Sequence, residues 1–456
     1  MLSTTINTAI ATVLALMYTI QAQAGVSTEQ AQRLKDDLTP FGAQRTGNLS
    51  GSIPSWEGGI TEPPIGYQEG QRYLDPFDED EPLFTITAKN AGQFKNHLSA
   101  GQFALFAAYP DSFRMNIYPS RRSGSAPQWV YDNTAKNAHT ARLINNGNGF
   151  VDAYGGIPFP IPQSGVEVVW NHITRYRGTY LSVRTSSAVV QRNGRFSQVT
   201  GQQEALFRYY RQGGSFPGLN NLLFYYMVFI KAPARLAGGA VLVHETIDQT
   251  KEPRNAWIYT SGQRRVRRAP NISYDTPIID SEGLRTADDT DMYNGAPNRY
   301  DWELVGKREI YITYNNYQIG SGTLKYKDIL QPGHINPDYV RYELHRVWVV
   351  EGRLKPGARH IYSRRTFYLD EDSWQIAIAD QYDSRGELWR VSLAHLTNMY
   401  NLPTTWSSLE VYHDLQSRRY LALNLTDEEP QIINFNQKIP SDSNFTSAAL
   451  MRRGGR

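Results

Sequence analysis

Acid–base chemistry in this chain of 456 residues would fall to Asp370, Glu371, Asp372 and Asp380, with His395 as the base. Paired carboxylates beside an imidazole hydrolyse glycosidic or ester bonds by general acid–base catalysis. Their spacing favours a plainer use. Asp370-Glu371-Asp372 stands between two strand-like runs, where acidic residues suit turn geometry and solvent. There is no Gly-x-Ser-x-Gly elbow, no His-Glu-x-x-His helix and no glycine-rich phosphate loop, and the 9 histidines are scattered without metal-ligand spacing. His244, His345 and His395 fall in strand-like runs and read as partly buried, hydrogen-bonded histidines. No catalytic residue, cofactor or metal ligand is assigned from the sequence.

Anion recognition has a better candidate. Trp257-Ile258-Tyr259-Thr260 and Arg264-Arg265-Val266-Arg267-Arg268 flank a short turn at Ser261-Gly262-Gln263 and predict a β-hairpin. Guanidinium forks suit phosphates and carboxylates, and an aromatic strand beside them suits an apolar tail. The expected ligand residues are therefore Trp257 and Tyr259, lining an apolar hollow, and Arg264, Arg265, Arg267 and Arg268 at its rim. Alternation puts Arg265 and Arg267 on one face and Arg264 and Arg268 on the other, so only one pair meets a given headgroup. The same arginines equally suit a solvated edge that discourages strand-to-strand aggregation.

The elements that must position these residues are mostly strands. Aromatic residues make up 12% of the chain, and they favour pleated, half-buried surfaces. Beyond Gly178 one strand-like run follows another: Tyr180 to Arg192, a turn at Asn193-Gly194, Phe196 to Val199, Glu204 to Tyr210, Leu222 to Ile230 and Ala240 to Ile247. Runs resume from Tyr342 to Leu425 with short connections that imply antiparallel neighbours. Helices are expected from capping boxes at Ser27 and Ser99, from Asp132 as a cap, and over Val166 to Tyr176. Residues 41–82, rich in Gly, Pro and acidic residues, read as an extended arm anchored by Trp56 and Phe77. Tyr274 to Tyr300 reads as a long loop of functional or lid-like character.

The apolar run from Ala9 to Ile20, ending in Ala22-Gln23-Ala24, has the form of an export signal, so the mature protein is expected to be soluble and periplasmic, and peripheral to the outer membrane if membrane-associated at all. With Cys 0 there is no disulfide framework, no thiolate metal site and no cysteine for a lipid anchor. A formal net charge of +3 gives no drive toward nucleic acid. The expected organisation is a signal peptide over 1–24, a helix and arm over 25–82, one sheet domain over 83–427 and an irregular tail over 428–456.

The hairpin resembles the signature of bacterial lipoprotein-sorting carriers of the LolA and LolB type. More closely, the chain resembles the Gram-negative family catalogued as domain of unknown function 1329. Arg72-Tyr73-Leu74-Asp75-Pro76-Phe77, Pro127-Gln128-Trp129-Val130-Tyr131, Gly155-Gly156-Ile157-Pro158-Phe159-Pro160, Asp288 to Trp302 and Arg365 to Trp374 carry the same resemblance over most of the mature chain. It implies an α+β fold, mainly β, in which a large curved antiparallel sheet forms a half-barrel with helices on its concave face. It also implies a carrier or binding protein for lipid or other hydrophobic cargo, working near a resistance-nodulation-type exporter and an outer-membrane partner. A structural adaptor of such a complex and a carboxylate-dependent hydrolase of an envelope glycan or ester are the alternatives.

Overall fold

A computed structural model describes residues 25–269, 274–278, 281–430, 433–435 and 437–454; the export segment expected over 1–24 lies outside the described residues. The principal strands, in chain order, are β1 (Phe84–Thr87), β2 (Arg114–Ile117), β3 (Arg142–Ile144), β4 (Gly149–Val151), β5 (Tyr180–Val190), β6 (Phe196–Phe207), β7 (Leu222–Ala232), β8 (Ala240–Thr246), β9 (Asn255–Thr260) and β10 (Arg265–Arg268). They continue with β11 (Tyr300–Thr313), β12 (Arg341–Leu354), β13 (Arg364–Asp370), β14 (Ile376–Tyr382), β15 (Leu388–Met399), β16 (Thr404–Asp414) and β17 (Arg419–Leu425). The main helices are α1 (Thr28–Gln32), α2 (Ala100–Ala108), α3 (Gln128–Thr140), α4 (Gly165–Thr174) and α5 (Ser447–Arg453).

Fifteen strands form one sheet in the order β1-β2-β12-β13-β14-β15-β16-β17-β5-β6-β7-β8-β9-β10, with β11 paired to β12. Each chain-consecutive run, β5 to β10 and β12 to β17, is an antiparallel meander. The two join edge to edge where β17 meets β5, Tyr420 opposite Val190 and Leu421 opposite Val189. β2 runs parallel to β12 beside Arg341 and Tyr342.

Directly opposed residues share a face. Asp380, Val391, His413, Tyr420 and Val190 therefore lie on one face, and Gln381 and Arg390 on the other. Helix α2 covers the first face so closely that a Cβ on Gly101 would stand 2.2 Å from Asp380 Oδ1 and 2.3 Å from Val391 Cγ2. The second face is covered by the segment around residues 284–294. Tyr293 packs on Phe367 at 5.4 Å, and the side chain of Gln381 donates to Asp289 Oδ1 at 2.7 Å. Helix α4 adjoins that segment through His172, whose Nε2 lies 2.8 Å from the Asp291 carbonyl. The result is an α+β fold dominated by one antiparallel sheet, with helices and long irregular segments on both faces.

Several local expectations are met by specific contacts. Ser27 with Gln30 and Ser99 with Gln102 form reciprocal capping boxes. Trp56 is buried and donates through Nε1 to the Gly124 carbonyl at 3.0 Å, and Phe77 sits between the guanidinium groups of Arg121 and Arg341. Other boundaries move. Helix α3 begins at Gln128 behind Pro127, four residues before the expected Asp132 cap, because Val130 and Tyr131 turn into the core. β11 was not anticipated: a register shift between Leu304 and Gly306 breaks the alternation of Tyr300, Trp302 and Leu304 from that of Ile310 and Ile312. The segment beyond Glu428, read as an irregular tail, contains a packed helix among its described residues. It folds back as α5, with Phe445 and Leu450 fully buried.

Arg72 ties the arm to the end of the chain. Its guanidinium donates to the carbonyls of Gly320 at 2.9 Å, Thr426 at 3.0 Å and Glu429 at 2.7 Å. Removing it strands three carbonyls in two separate segments. Arg72→Ala is expected to lower the unfolding free energy by about 2–3 kcal/mol in chemical denaturation, since buried groups left without a charged partner cost about that much. Arg72→Lys should restore little, because an ammonium lacks the planar fork.

Candidate functional site

The basic hairpin forms as expected, with a longer turn. Ser261–Gln263 make a 3-10 turn, and Arg264 follows in the left-handed region at φ 48°. Thr260 then faces Arg265, Tyr259 faces Val266, Ile258 faces Arg267 and Trp257 faces Arg268. Arg264 thus stands in the turn. Arg265 and Arg267 share the Ile258 face and are exposed, while Arg268 shares the Trp257 face and donates to Asn255 Oδ1.

The Trp257 face is closed. Trp257 and Tyr259 join Tyr180, Leu206, Tyr225, Met227 and Phe229 in an apolar cluster completed by Phe445 and Leu450. Tyr225 stacks on Phe445 with ring centroids 5.2 Å apart, and His244 Nε2 lies 2.8 Å from the Phe445 carbonyl. Arg453, in the last turn of α5, pairs with Glu204 and lies 4.7 Å from the Phe229 ring centroid. The aromatic residues singled out in the sequence therefore hold the C-terminal helix.

The Ile258 face differs. Across β7, β8 and β9, Val228 faces Val241 and Val241 faces Ile258, with Ile230 and Val243 flanking them. All five are half-buried and stand apart from the packed clusters formed by the described core residues. The strip runs directly into Arg267 and Arg265. The strip thus sets an apolar surface beside two exposed guanidinium groups, which as a class pair with phosphates and carboxylates. A separate open cleft of about 680 Å³ lies beside α3, lined by Lys136, His139, Arg142 and Asp152 among others; there Arg142 already pairs with Asp152 at 2.9 Å.

The acid–base candidates lie elsewhere and are buried. Asp370, Glu371 and Asp372 are 0%, 1% and 5% exposed, so the acidic turn is not the solvated one expected. Arg122 grips Asp372 through Nε at 2.9 Å and Nη2 at 2.6 Å, and Arg346 Nε and Lys307 Nζ each reach Glu371 at 2.7 Å. Asp380 accepts from Ser99 Oγ at 3.1 Å beneath α2. His345 is hydrogen-bonded, as expected, with Nε2 3.0 Å from Glu343. His395 is not: among the described residues neither ring nitrogen has a partner, and it borders a cavity of about 10 Å³ shared with His334 and His413.

Two further clusters went unnoticed in the sequence, where only runs of Asp and Arg mark them. Arg175 and Arg177, at the end of α4, both bind Asp291. Arg365 and His360 close on Asp288, with Arg365 Nη2 2.9 Å and His360 Nε2 3.0 Å from its Oδ2. The loop read as lid-like instead buries its aspartates, Asp288 against Arg365 of β13 and Asp291 against Arg175 and Arg177 at the end of α4.

Burial displaces these titrations in opposite directions. Desolvation lowers His395 to about 3, lowers His172 to about 3 with Arg175 adding to it, and lowers His413 to about 3 with His334 adding to it. Desolvation raises Asp370 to about 7 with Asp372 adding to it, Glu410 to about 7 with Asp291 adding to it, and Asp380 to about 6. Desolvation also works against Asp288 and Asp291, but their arginines hold both below the usual carboxylate range. As pH falls through the unfolded histidine value near 6.5, the unfolded chain gains protons that the folded histidines refuse, which destabilises. Over the same interval the folded carboxyls gain protons that the unfolded ones take up only near pH 4, which stabilises. Denaturation midpoints are therefore expected to stay nearly level from about pH 6.5 to 4.5. Below about pH 4 the carboxyl gain ends and stability should fall by on the order of 3 kcal/mol per pH unit.

The chain matches the family described as "Protein of unknown function (DUF1329)" over residues 85–451. It is 48% identical over 437 residues to the uncharacterized protein PA3922 of Pseudomonas aeruginosa, covering 96% of each chain. Among solved structures it is similar to a DUF1329 family protein from Desulfovibrio piger, at 14% identity and TM-score 0.42 over 60% of this chain and 92% of that one. It is also similar to a putative outer membrane lipoprotein-sorting protein domain from Vibrio parahaemolyticus, at 15% identity and TM-score 0.43 over 63% and 98%. A LolA superfamily protein from Nitrosomonas europaea gives 12% identity and TM-score 0.37 over 62% and 98%. With a family match that spans most of its length, the chain belongs to the DUF1329 family.

Proposed function

We propose that this protein is a periplasmic carrier for an anionic amphiphile, serving an envelope export system. The observation that carries the reading is the half-buried apolar strip of Val228, Ile230, Val241, Val243 and Ile258, which ends at Arg265 and Arg267. An acyl chain laid across the strip would remove apolar surface from water, and the arginine pair would take a phosphate or carboxylate headgroup. Trp257 and Tyr259 would serve this site from behind, keeping β9 in place by packing beneath α5. Among the described residues no helix is long and apolar enough to cross a membrane. The export-type leader and the family resemblance support a periplasmic setting, next to a resistance-nodulation-type exporter and an outer-membrane partner. The hydrolase reading draws no support from the carboxylates, because Asp370, Glu371, Asp372 and Asp380 are all buried.

Native mass spectrometry of gently purified protein is expected to show a bound lipid or fatty acid. In binding titrations, the double change Arg265→Gln and Arg267→Gln should weaken lysophosphatidylglycerol by about tenfold or more, while the zwitterionic lysophosphatidylcholine changes little. Unfolding free energy should move by no more than about 1 kcal/mol, as for other exposed charges. Ile258→Asp should weaken both lipids. Binding of neither lipid, together with a stable protein partner, would replace the carrier by the adaptor.

A further inference from the structure

The turn between β13 and β14 brings together groups that the chain separates. Asp370 and Asp372 come from the end of β13 and the turn after it, and His345 comes from β12, where Val347 lies opposite Asp370. One ligand atom from each of the three lies within 4.8 Å of the others, and all three residues are buried. His345 Nε2 is 3.0 Å from Glu343 Oε2, so Nε2 carries the hydrogen and the Nδ1 lone pair points away from Glu343. It points toward Asp370 Oδ1, 3.7 Å away. Among the described residues that oxygen has no hydrogen-bond partner, whereas its twin Oδ2 accepts from Ser373 Oγ at 2.6 Å and Tyr314 OH at 3.3 Å.

Two buried acceptors thus face each other across a gap too wide for a hydrogen bond. The nearby cations do not close it. Arg122 is held by Asp372 and Glu371, Arg341 by Glu343 and Asp80, and Arg346 and Lys307 by Glu371. Ligands on a tetrahedral zinc ion at about 2.1 Å stand about 3.4 Å apart, close to the observed gap. The Glu343 carboxylate behind the imidazole completes the carboxylate–histidine arrangement that orients metal-binding histidines. The Tyr314 ring, with its centroid 4.0 Å from that of His345, holds the imidazole plane. Arg122 fixes Asp372 while leaving each of its oxygens a free lone pair.

We propose that His345, Asp370 and Asp372 bind one divalent transition-metal ion, with zinc favoured by the nitrogen and oxygen donors, between β12 and the β13–β14 turn. The site is enclosed, so the ion enters as the chain folds and pins the turn on which the Arg122, Arg346 and Lys307 network is built. The inference is independent of the carrier reading, since the site lies in a different part of the sheet from Arg265 and Arg267.

The test uses the full mature chain, unfolded in guanidinium with a chelator and refolded with or without zinc chloride. Elemental analysis after desalting should find one zinc per chain, and cobalt in place of zinc should give the visible absorption of a tetrahedral site. Asp370→Asn should abolish retention, and Glu343→Gln should weaken it about ten- to a hundredfold, with folding confirmed by circular dichroism. Should either variant fail to refold, the cobalt spectrum of the wild type decides. Folded wild type that retains no zinc and gives no cobalt band would overturn the proposal, as would undiminished zinc retention by folded Asp370→Asn. In either case a proton shared by His345 and Asp370 fills the gap.

Discussion

Long irregular segments lie against both faces of this sheet, and a buried loop carries carbonyl groups that no neighbouring strand satisfies. The structure depends on supplying donors to them, and arginine does so. Arg72 serves two separate segments, Arg122 reaches the carbonyls of Gln44 and Arg45, Arg346 those of Gln44 and Thr46, and Arg390 that of Gly283. A guanidinium group offers five donors in a fixed plane and stays charged when buried, which no other side chain does. The N-terminal arm is held by such contacts as much as by its apolar anchors.

Buried arginines bring a second requirement, because each charge taken out of water needs a counter-charge nearby. Asp288, Asp291, Glu371, Asp372 and Glu343 supply it, each from a turn or loop that folds back over the sheet or from the sheet itself. Glu371 and Asp372, which resemble part of a catalytic carboxylate set in one dimension, are thereby taken up as partners. Replacing one member would leave its partner charged and unpaired in the interior, a larger cost than the net worth of the pair. Such a framework tolerates few changes at its charged positions.

The covering layers do not reach every part of the sheet. Beyond β6 the two faces of the sheet part ways. One is sealed by α5 through Phe445 and Leu450, while the other keeps a strip of branched aliphatic residues half in water beside an arginine pair. Both faces have apolar sequences, since β7 reads Leu-Leu-Phe-Tyr-Tyr-Met-Val-Phe-Ile. Strands apolar on both sides normally signal burial on both sides. Here Tyr225, Met227 and Phe229 pack beneath α5 on one side, while on the other Phe224 and Tyr226 join the main core and Val228 and Ile230 stand outside the packed clusters of the described residues, and the difference is what gives this end of the sheet a candidate function.

Much of this was legible before any coordinates. Strand alternation, the Asn193-Gly194 turn and two capping boxes follow local rules of backbone geometry, so the strand runs and the hairpin could be read directly, as could the sharing of one face by Arg265 and Arg267. Two elements escaped local reading: β11, because a bulge at Gly306 breaks its period, and the C-terminal helix, because its helix-forming stretch is short and its stability comes from packing. Which face of β9 the end of the chain would cover was beyond local reading, and so was the joining of β17 to β5. The burial of the Asp370 turn and the meeting of His345 with Asp370 were equally out of reach. Local periodicity is set by neighbours in the chain, and so the sequence by itself determined the strands, the basic hairpin and the family. Partnership between segments tens to hundreds of residues apart is set by competition for burial and for counter-charges, and only the tertiary structure decided it.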